Sequence, residues 1–250
     1  MLFRSAGITL SNSITTTGSQ TYTGAVTLGA DLTLTTSNGA VLFSSTVDNN
    51  TATPRALTIS AGSGNVTFTG AVGSGANGDL GAMIVNSTGN TTFSSSVNAA
   101  SVTTNAGGTV YLGGNVTTTG NQTYNDAVSL TGNVVLNAPA LTTASTIAAG
   151  SYNLTLTTDA LSLASNITGT GALVIQPKTN STTVAIGSAA TGTLALSDTA
   201  LTYINDHFSS ITIGSSTGTA AMGIDYSAAS FTFTNPLVLR SNTGNIAAVD

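Results

Sequence analysis

Along most of the chain, apolar residues alternate with Thr or Ser in short runs, as in Leu32-Thr-Leu34, Leu154-Thr-Leu156 and Ile211-Thr-Ile213. A period of two puts one set of side chains on each side of an extended backbone, so these runs predict β-strands with an apolar side and a hydroxyl-bearing side. Asn38-Gly39, Asn77-Gly78, Gly89-Asn90 and Gly132-Asn133 fall between runs. Gly and Asn tolerate the left-handed backbone that a sharp bend requires. One segment breaks the pattern. After Ser197-Asp198, residues Leu201, Ile204 and Phe208 recur at helical spacing behind a capping pair, which predicts one short helix near 198–207.

The runs also repeat at a longer range. Thr15-Thr-Thr-Gly-Ser-Gln-Thr-Tyr22-Thr-Gly-Ala-Val26-Thr-Leu28 returns as Thr117-Thr-Thr-Gly-Asn-Gln-Thr-Tyr124-Asn-Asp-Ala-Val128-Ser-Leu130, with 11 of 20 positions identical between 15–34 and 117–136. A looser unit lies between the two copies: an aromatic residue or Leu, with Val four places later. It occurs at Tyr22/Val26, Phe43/Val47, Phe68/Val72, Phe93/Val97, Leu112/Val116 and Tyr124/Val128, and the gaps between first members are 21, 25, 25, 19 and 12 residues. In an extended chain, residues i and i+4 share a face, so each unit presents one apolar face that it cannot bury alone. Stacking units about 4.8 Å apart buries those faces in a continuous interior. An antiparallel sandwich also uses short strands with turns every 8–12 residues or so. The near-regular spacing favours stacking, although the final gap of 12 residues fits it poorly. The expected fold is all-β, a parallel β-solenoid with one short helix. Residues 1–13 are expected to be irregular, 14–165 to form solenoid repeats, and 166–250 to continue them around the helical insertion.

Composition narrows the function. Charged residues make up 5% of the chain, against about 25% in an ordinary soluble domain. Arg4, Arg55, Lys178 and Arg240 are the only strong bases, and no basic stripe is present to follow a phosphate backbone, so nucleic acid is not an expected partner. Absence of Glu and scarcity of Lys and Arg remove the best surface helix formers, while Thr and Val favour strands. There is no Cys, which removes disulfides and thiolate metal sites. No run is long enough to span a bilayer as a helix. A chain without Trp and with 6 Tyr lacks the aromatic girdles of a membrane barrel. Met1-Leu2-Phe3-Arg4 does not read as a signal peptide, so any export signal is expected outside this sequence.

Candidate chemistry is sparse. Asp206 stands beside His207, the only His, and this pair is the best acid–base candidate; its plainer reading is polar termination of the helix. Carbohydrate cleavage needs two carboxylates about 5–9 Å apart, and equivalent positions on successive turns would supply that spacing. However, Asp31 aligns with Asn133, and Asp126 with Gly24, so neither carboxylate recurs in its repeat. Asp48, Asn49 and Asn50 crowd oxygens in the manner of a calcium site, yet corner Asx residues more often cap turns. Thr33-Leu-Thr35 and Thr155-Leu-Thr157 resemble fragments of an ice-binding array, which irregular repeat lengths would interrupt. The expectation is no catalytic residue, no metal and no cofactor.

Two blocks carry a resemblance. One is the Thr-Thr-Gly-x-Gln-Thr-Tyr-x-x-Ala-Val-x-Leu unit at 16–28 and 118–130. The other runs from Gly169-Thr-Gly-Ala-Leu-Val-Ile-Gln-Pro177 through Leu194-Ala-Leu-Ser and Phe208-Ser-Ser-Ile-Thr-Ile-Gly214 to Phe231-Thr-Phe-Thr-Asn-Pro-Leu237. In these the chain resembles the filamentous-haemagglutinin-like adhesins, β-strand-repeat surface proteins of Gram-negative bacteria exported by two-partner secretion. The resemblance implies a right-handed parallel β-helix at the cell surface or beyond it. The functional expectation is a structural and adhesive rod, with a carbohydrate-active β-helix enzyme or an ice-binding solenoid as alternatives. Expected partners are glycans or matrix proteins along its faces, and other copies or flanking repeats at its open ends. The chain breaks off after Gly244-Asn-Ile246 in what reads as mid-repeat, so a longer parent rod is expected.

Overall fold

The computed structural model describes residues 1–187, 191–205, 207–225 and 235–249. These form a parallel β-helix: every strand pairing is parallel, and successive coils stack along one axis. Each regular coil has three faces. In the second coil, Gln20–Tyr22 lies on face 1, Ala25–Leu28 on face 2 and Leu32–Thr36 on face 3. Tight corners join the faces, so the apolar positions of all three point inward to a single interior.

Registers turn that interior into columns. On face 2, Ile8, Val26, Val47, Val72, Val97, Val116, Leu136, Leu156, Ile175, Ile213 and Leu239 stand above one another. That is eleven layers, which at the usual strand spacing of about 4.8 Å gives a stack about 50 Å tall. On face 1, Phe3, Tyr22, Phe43, Phe68, Phe93, Leu112 and Leu130 form a second column. Its first five rings stack face to face at 4.7, 4.9, 4.8 and 5.1 Å, with interplanar angles of 5–14°. The ring spacing matches the strand spacing because each ring is carried by the strand beneath it. Parallel in-register pairing therefore forces the stacked geometry.

Close stacking also explains the corner glycines. A Cβ on Gly64 would lie 2.2 Å from the carbonyl oxygen of Gly39, and one on Gly39 would lie 2.5 Å from the backbone of Gly18 and Ser19. Corner Asx and Ser side chains tie one coil to the next. Asn115, Asn133 and Asn153 accept from the N–H of Val135, Asn153 and Ala172 at 2.9 Å each, and Ser19 accepts from Ala40 at 3.1 Å.

Four expectations change. Residues 1–13 are not irregular: Leu2–Phe3 and Gly7–Leu10 pair with the second coil and form the first. The aromatic/Val units are not one strand face; Phe43 ends Val41–Phe43 and Val47 begins Val47–Asn49, with a corner between them. The gap of 12 residues disappears, since the layer after Leu112 is Leu130 on face 1, not Tyr124, which lies on face 3 between Thr104 and Thr143. The helix is shorter than its apolar spacing suggested. It covers Asp198–Thr202, with the Ser197 hydroxyl accepting from the Ala200 N–H at its start and Tyr203 as its C-cap. Ile204 instead bridges to Ile167 on face 1, and Phe208 is fully buried with its ring against Gly169.

The helix belongs to an excursion that interrupts the regular winding. After Ala172–Gln176 on face 2 the chain forms Val184–Ile186, and Leu194–Leu196 pairs parallel beside it. Leu194–Leu196 also packs against Leu154–Leu163 of the preceding coil, so face 3 gains a layer out of chain order. Met222–Asp225 and Ile246–Val249 then continue that sheet.

Candidate functional surface

With the interior apolar, chemistry is confined to the outer faces, the corners and the few buried polar groups. Asp206, half of the acid–base candidate, lies outside the described residues, as does the Phe231-Thr-Phe-Thr part of the second resemblance block; His207 is exposed just beyond the helix. Asp48 and Asn49 are neighbours on one strand and therefore point to opposite sides. Asn49 is buried, donates through Nδ2 to the carbonyls of Gly78 and Asp79 at 3.3 and 2.7 Å, and accepts from the Arg55 N–H at 2.9 Å. The Asp48 carboxylate accepts from the Gly75 N–H at 2.7 Å. Asn50 is exposed. Instead of converging on a cation, these oxygens hold together two neighbouring loops, 50–56 and 73–79, which lengthen the third and fourth coils. Asp31 similarly accepts from the Ala56 N–H at 3.0 Å. Among the described residues, no group of three or more His, Cys, Asp or Glu is placed to hold a metal ion.

The outer faces are neutral hydroxyl ladders. On face 3, Thr33, Thr58, Ile84, Thr103, Thr123, Thr142 and Ser162 stand in one outward column. Ile84 interrupts its hydroxyls. On face 2 the Thr9 and Thr27 hydroxyls lie 3.1 Å apart. Asn137, Thr157 and Gln176 form another ladder, in which Gln176 donates to Thr157 at 3.0 Å and Lys178 Nζ donates to the Asn137 side-chain Oδ1 at 2.7 Å.

Two buried Gln–Tyr pairs were visible in the sequence only as a repeated motif. Gln20 is fully buried; its Nε2 donates to the Ile14 carbonyl, the Thr16 hydroxyl and the Thr35 carbonyl, and its Oε1 accepts from the Tyr22 hydroxyl at 2.8 Å. Gln122 makes the same four contacts with Val116, Thr118, Asn137 and Tyr124. Burial pushes both tyrosine hydroxyls far above their ordinary pKa, so both remain donors at any physiological pH. The two copies nevertheless occupy different faces, Gln20–Tyr22 on face 1 and Gln122–Tyr124 on face 3. Their 102-residue separation is five coils less one face.

Asp159 fastens the excursion. Its carboxylate accepts from the N–H groups of Lys178 and Thr179 at 3.0 and 2.8 Å, and from the hydroxyls of Thr179 and Thr182 at 2.7 and 2.8 Å. Burial pushes its pKa up, but these four donors outweigh burial and hold the carboxyl below its ordinary range. A carboxyl whose pKa is depressed on folding contributes stability above the unfolded pKa and loses it as pH falls toward the folded value. Asp159→Ala is expected to cost about 1.5–3 kcal/mol at neutral pH. It should also flatten the acid limb of the thermal-melting curve below the ordinary carboxylate range. Melting followed by circular dichroism from neutral to acid pH checks both.

Comparison with family models, with curated proteins and with solved structures returned no match to this chain. No helix in the described residues is long and apolar enough to cross a membrane.

Proposed function

We propose that this chain is a rod segment of a large secreted or cell-surface protein, with a mechanical role and with faces that present binding surface along its length. The observation that supports this most is the union of an unbroken interior with a neutral exterior. Eleven stacked layers on face 2 give length and stiffness, while charged residues at 5% leave a hydroxyl-rich surface. The corner Asp and Asn side chains are engaged in joining coils and loops, so the reading is non-enzymatic. The resemblance to filamentous-haemagglutinin-like adhesins points the same way and suggests an extracellular location, with glycans or matrix proteins as ligands.

A glycan and matrix-protein array on the purified folded chain tests the adhesive half. Binding that is lost when the face 3 hydroxyl column is replaced, for instance by Thr103→Lys with Thr123→Lys, supports an adhesive module. A folded chain that binds nothing on the array removes the adhesive half and leaves a spacer.

A further inference from the structure

The corner between faces 3 and 1 of the sixth coil contains the one carboxylate of residues 80–158. Asp126 is 2% exposed. Oδ1 accepts from the Gly108 N–H of the coil below at 2.8 Å, while Oδ2 has no hydrogen-bond partner. The Thr104 hydroxyl faces the same carboxyl from the coil below and is itself buried. Among the described residues, no cation compensates. The surrounding elements are the end of Val97–Thr104, the turn 105–108, Thr109–Leu112, Gln122–Tyr124, Ala127–Leu130 and the turn 144–146. Their titratable groups are Tyr111, in the half-buried outward row, and Tyr124, whose hydroxyl is bound to Gln122.

The repeat shows that the block can turn a corner without a carboxyl, there the corner between faces 1 and 2. In the first copy the aligned residue is Gly24, where a Cβ would lie 1.7 Å from the carbonyl oxygen of Ser5, so the chain turns there with no side chain at all. In the second copy the coil below turns through Gly107, at φ +132°, and Gly108, whose N–H donates to the Asp126 carboxylate.

We propose that Asp126 is a proton-operated latch: protonated, its Oδ2 hydroxyl can donate to Thr104 and close the corner across two coils, and ionised, it leaves a buried charge held only by neutral donors, whose desolvation loosens them. Burial raises the carboxyl above its ordinary range, and the Gly108 N–H, the Thr104 hydroxyl and the Gly107 N–H oppose that only in part. Between the ordinary and the raised value the folded state keeps a proton that the unfolded chain has lost, so stability falls as pH rises through that window. The sign is opposite to that at Asp159, and the corner is tighter at the acid end of that window than above it.

The test is amide hydrogen exchange of residues 104–108 and 125–128, corrected for intrinsic rates, across mildly acid to neutral pH, on the wild type and on Asp126→Asn and Asp126→Ser. In the wild type, protection at these amides should fall as pH rises. Both variants should lose that pH dependence, and Asp126→Asn should be the better protected protein at neutral pH. Infrared spectra with isotope-labelled aspartate supply a readout that does not depend on the variants folding: one carboxyl band of the wild type should stay protonated above the pH at which the exposed aspartates have ionised. Protection that is independent of pH in the wild type, or carboxyl bands that all ionise together, would overturn the latch.

Discussion

Replacing Phe68 by alanine should cost about 3–5 kcal/mol, the range for deleting a fully buried aromatic ring, and should weaken the rod on both sides of the lesion. Phe68 is 1% exposed and is stacked on Phe43 at 4.8 Å and on Phe93 at 5.1 Å. In a stack where each coil touches only its neighbours, stability is close to a sum of unit terms and nearest-neighbour terms. Loss of one ring therefore removes two neighbour contacts, and the backbone above and below cannot collapse into the void without breaking register. Phe3 is the control. It stacks on one ring only, Tyr22 at 4.7 Å, and is half-buried at the end of the stack. Phe3→Ala should cost about 1–2 kcal/mol, in proportion to the smaller area withdrawn from water. Urea unfolding followed by circular dichroism gives the two costs. Hydrogen exchange should place the loss from Phe68→Ala in the third to fifth coils. Equal costs for the two substitutions would mean that neither the greater burial of Phe68 nor its second ring neighbour adds stability, and would overturn the column as its source.

How much of this was legible beforehand depended on whether a signal was local. Alternation identified the strands, and the Tyr22, Phe43, Phe68 and Phe93 units identified the layers, because a strand's period and a buried ring both leave a trace in a few consecutive residues. Corners left a weaker trace. Ser44-Ser45-Thr46 carries neither Gly nor Asn, so Phe43 and Val47 read as one strand when they end one face and begin the next. The helix start was legible from Ser197-Asp198, but its end was not: Ile204 keeps helical spacing from Leu201, while its position is decided by the partner Ile167, far away in the chain. The latch carboxyl was legible only as a mismatch, Asp126 against Gly24. What makes it a site is the Gly107-Gly108 turn of another coil, which alignment of the two copies does not reveal.

The repeated Gln–Tyr block carries the strongest lesson about this architecture, and it yields the second prediction. Shared sequence made Tyr124 look like the next rung of the aromatic column, yet the block has moved one face around the axis. The same four hydrogen bonds form in both places because they are all made to groups at fixed offsets in the chain: six and four residues before the Gln, two after it, and fifteen after it, on the strand stacked on the one that carries the first two. A corner and the strands flanking it thus form a portable unit, and the three faces are similar enough to accept it. Gln122→Leu should cost about 3 kcal/mol, since it strips a donor from three buried acceptors and an acceptor from a buried tyrosine hydroxyl. Gln20→Leu should cost nearly as much on the other face. Tyr22→Phe and Tyr124→Phe, which remove one bond each from the same networks, should cost about 1 kcal/mol. Urea unfolding of the four variants decides the matter. Matching costs at Gln20 and Gln122 would establish the unit as independent of the face it occupies, and a large cost at one site with none at the other would show that the surrounding columns, not the block itself, determine the corner.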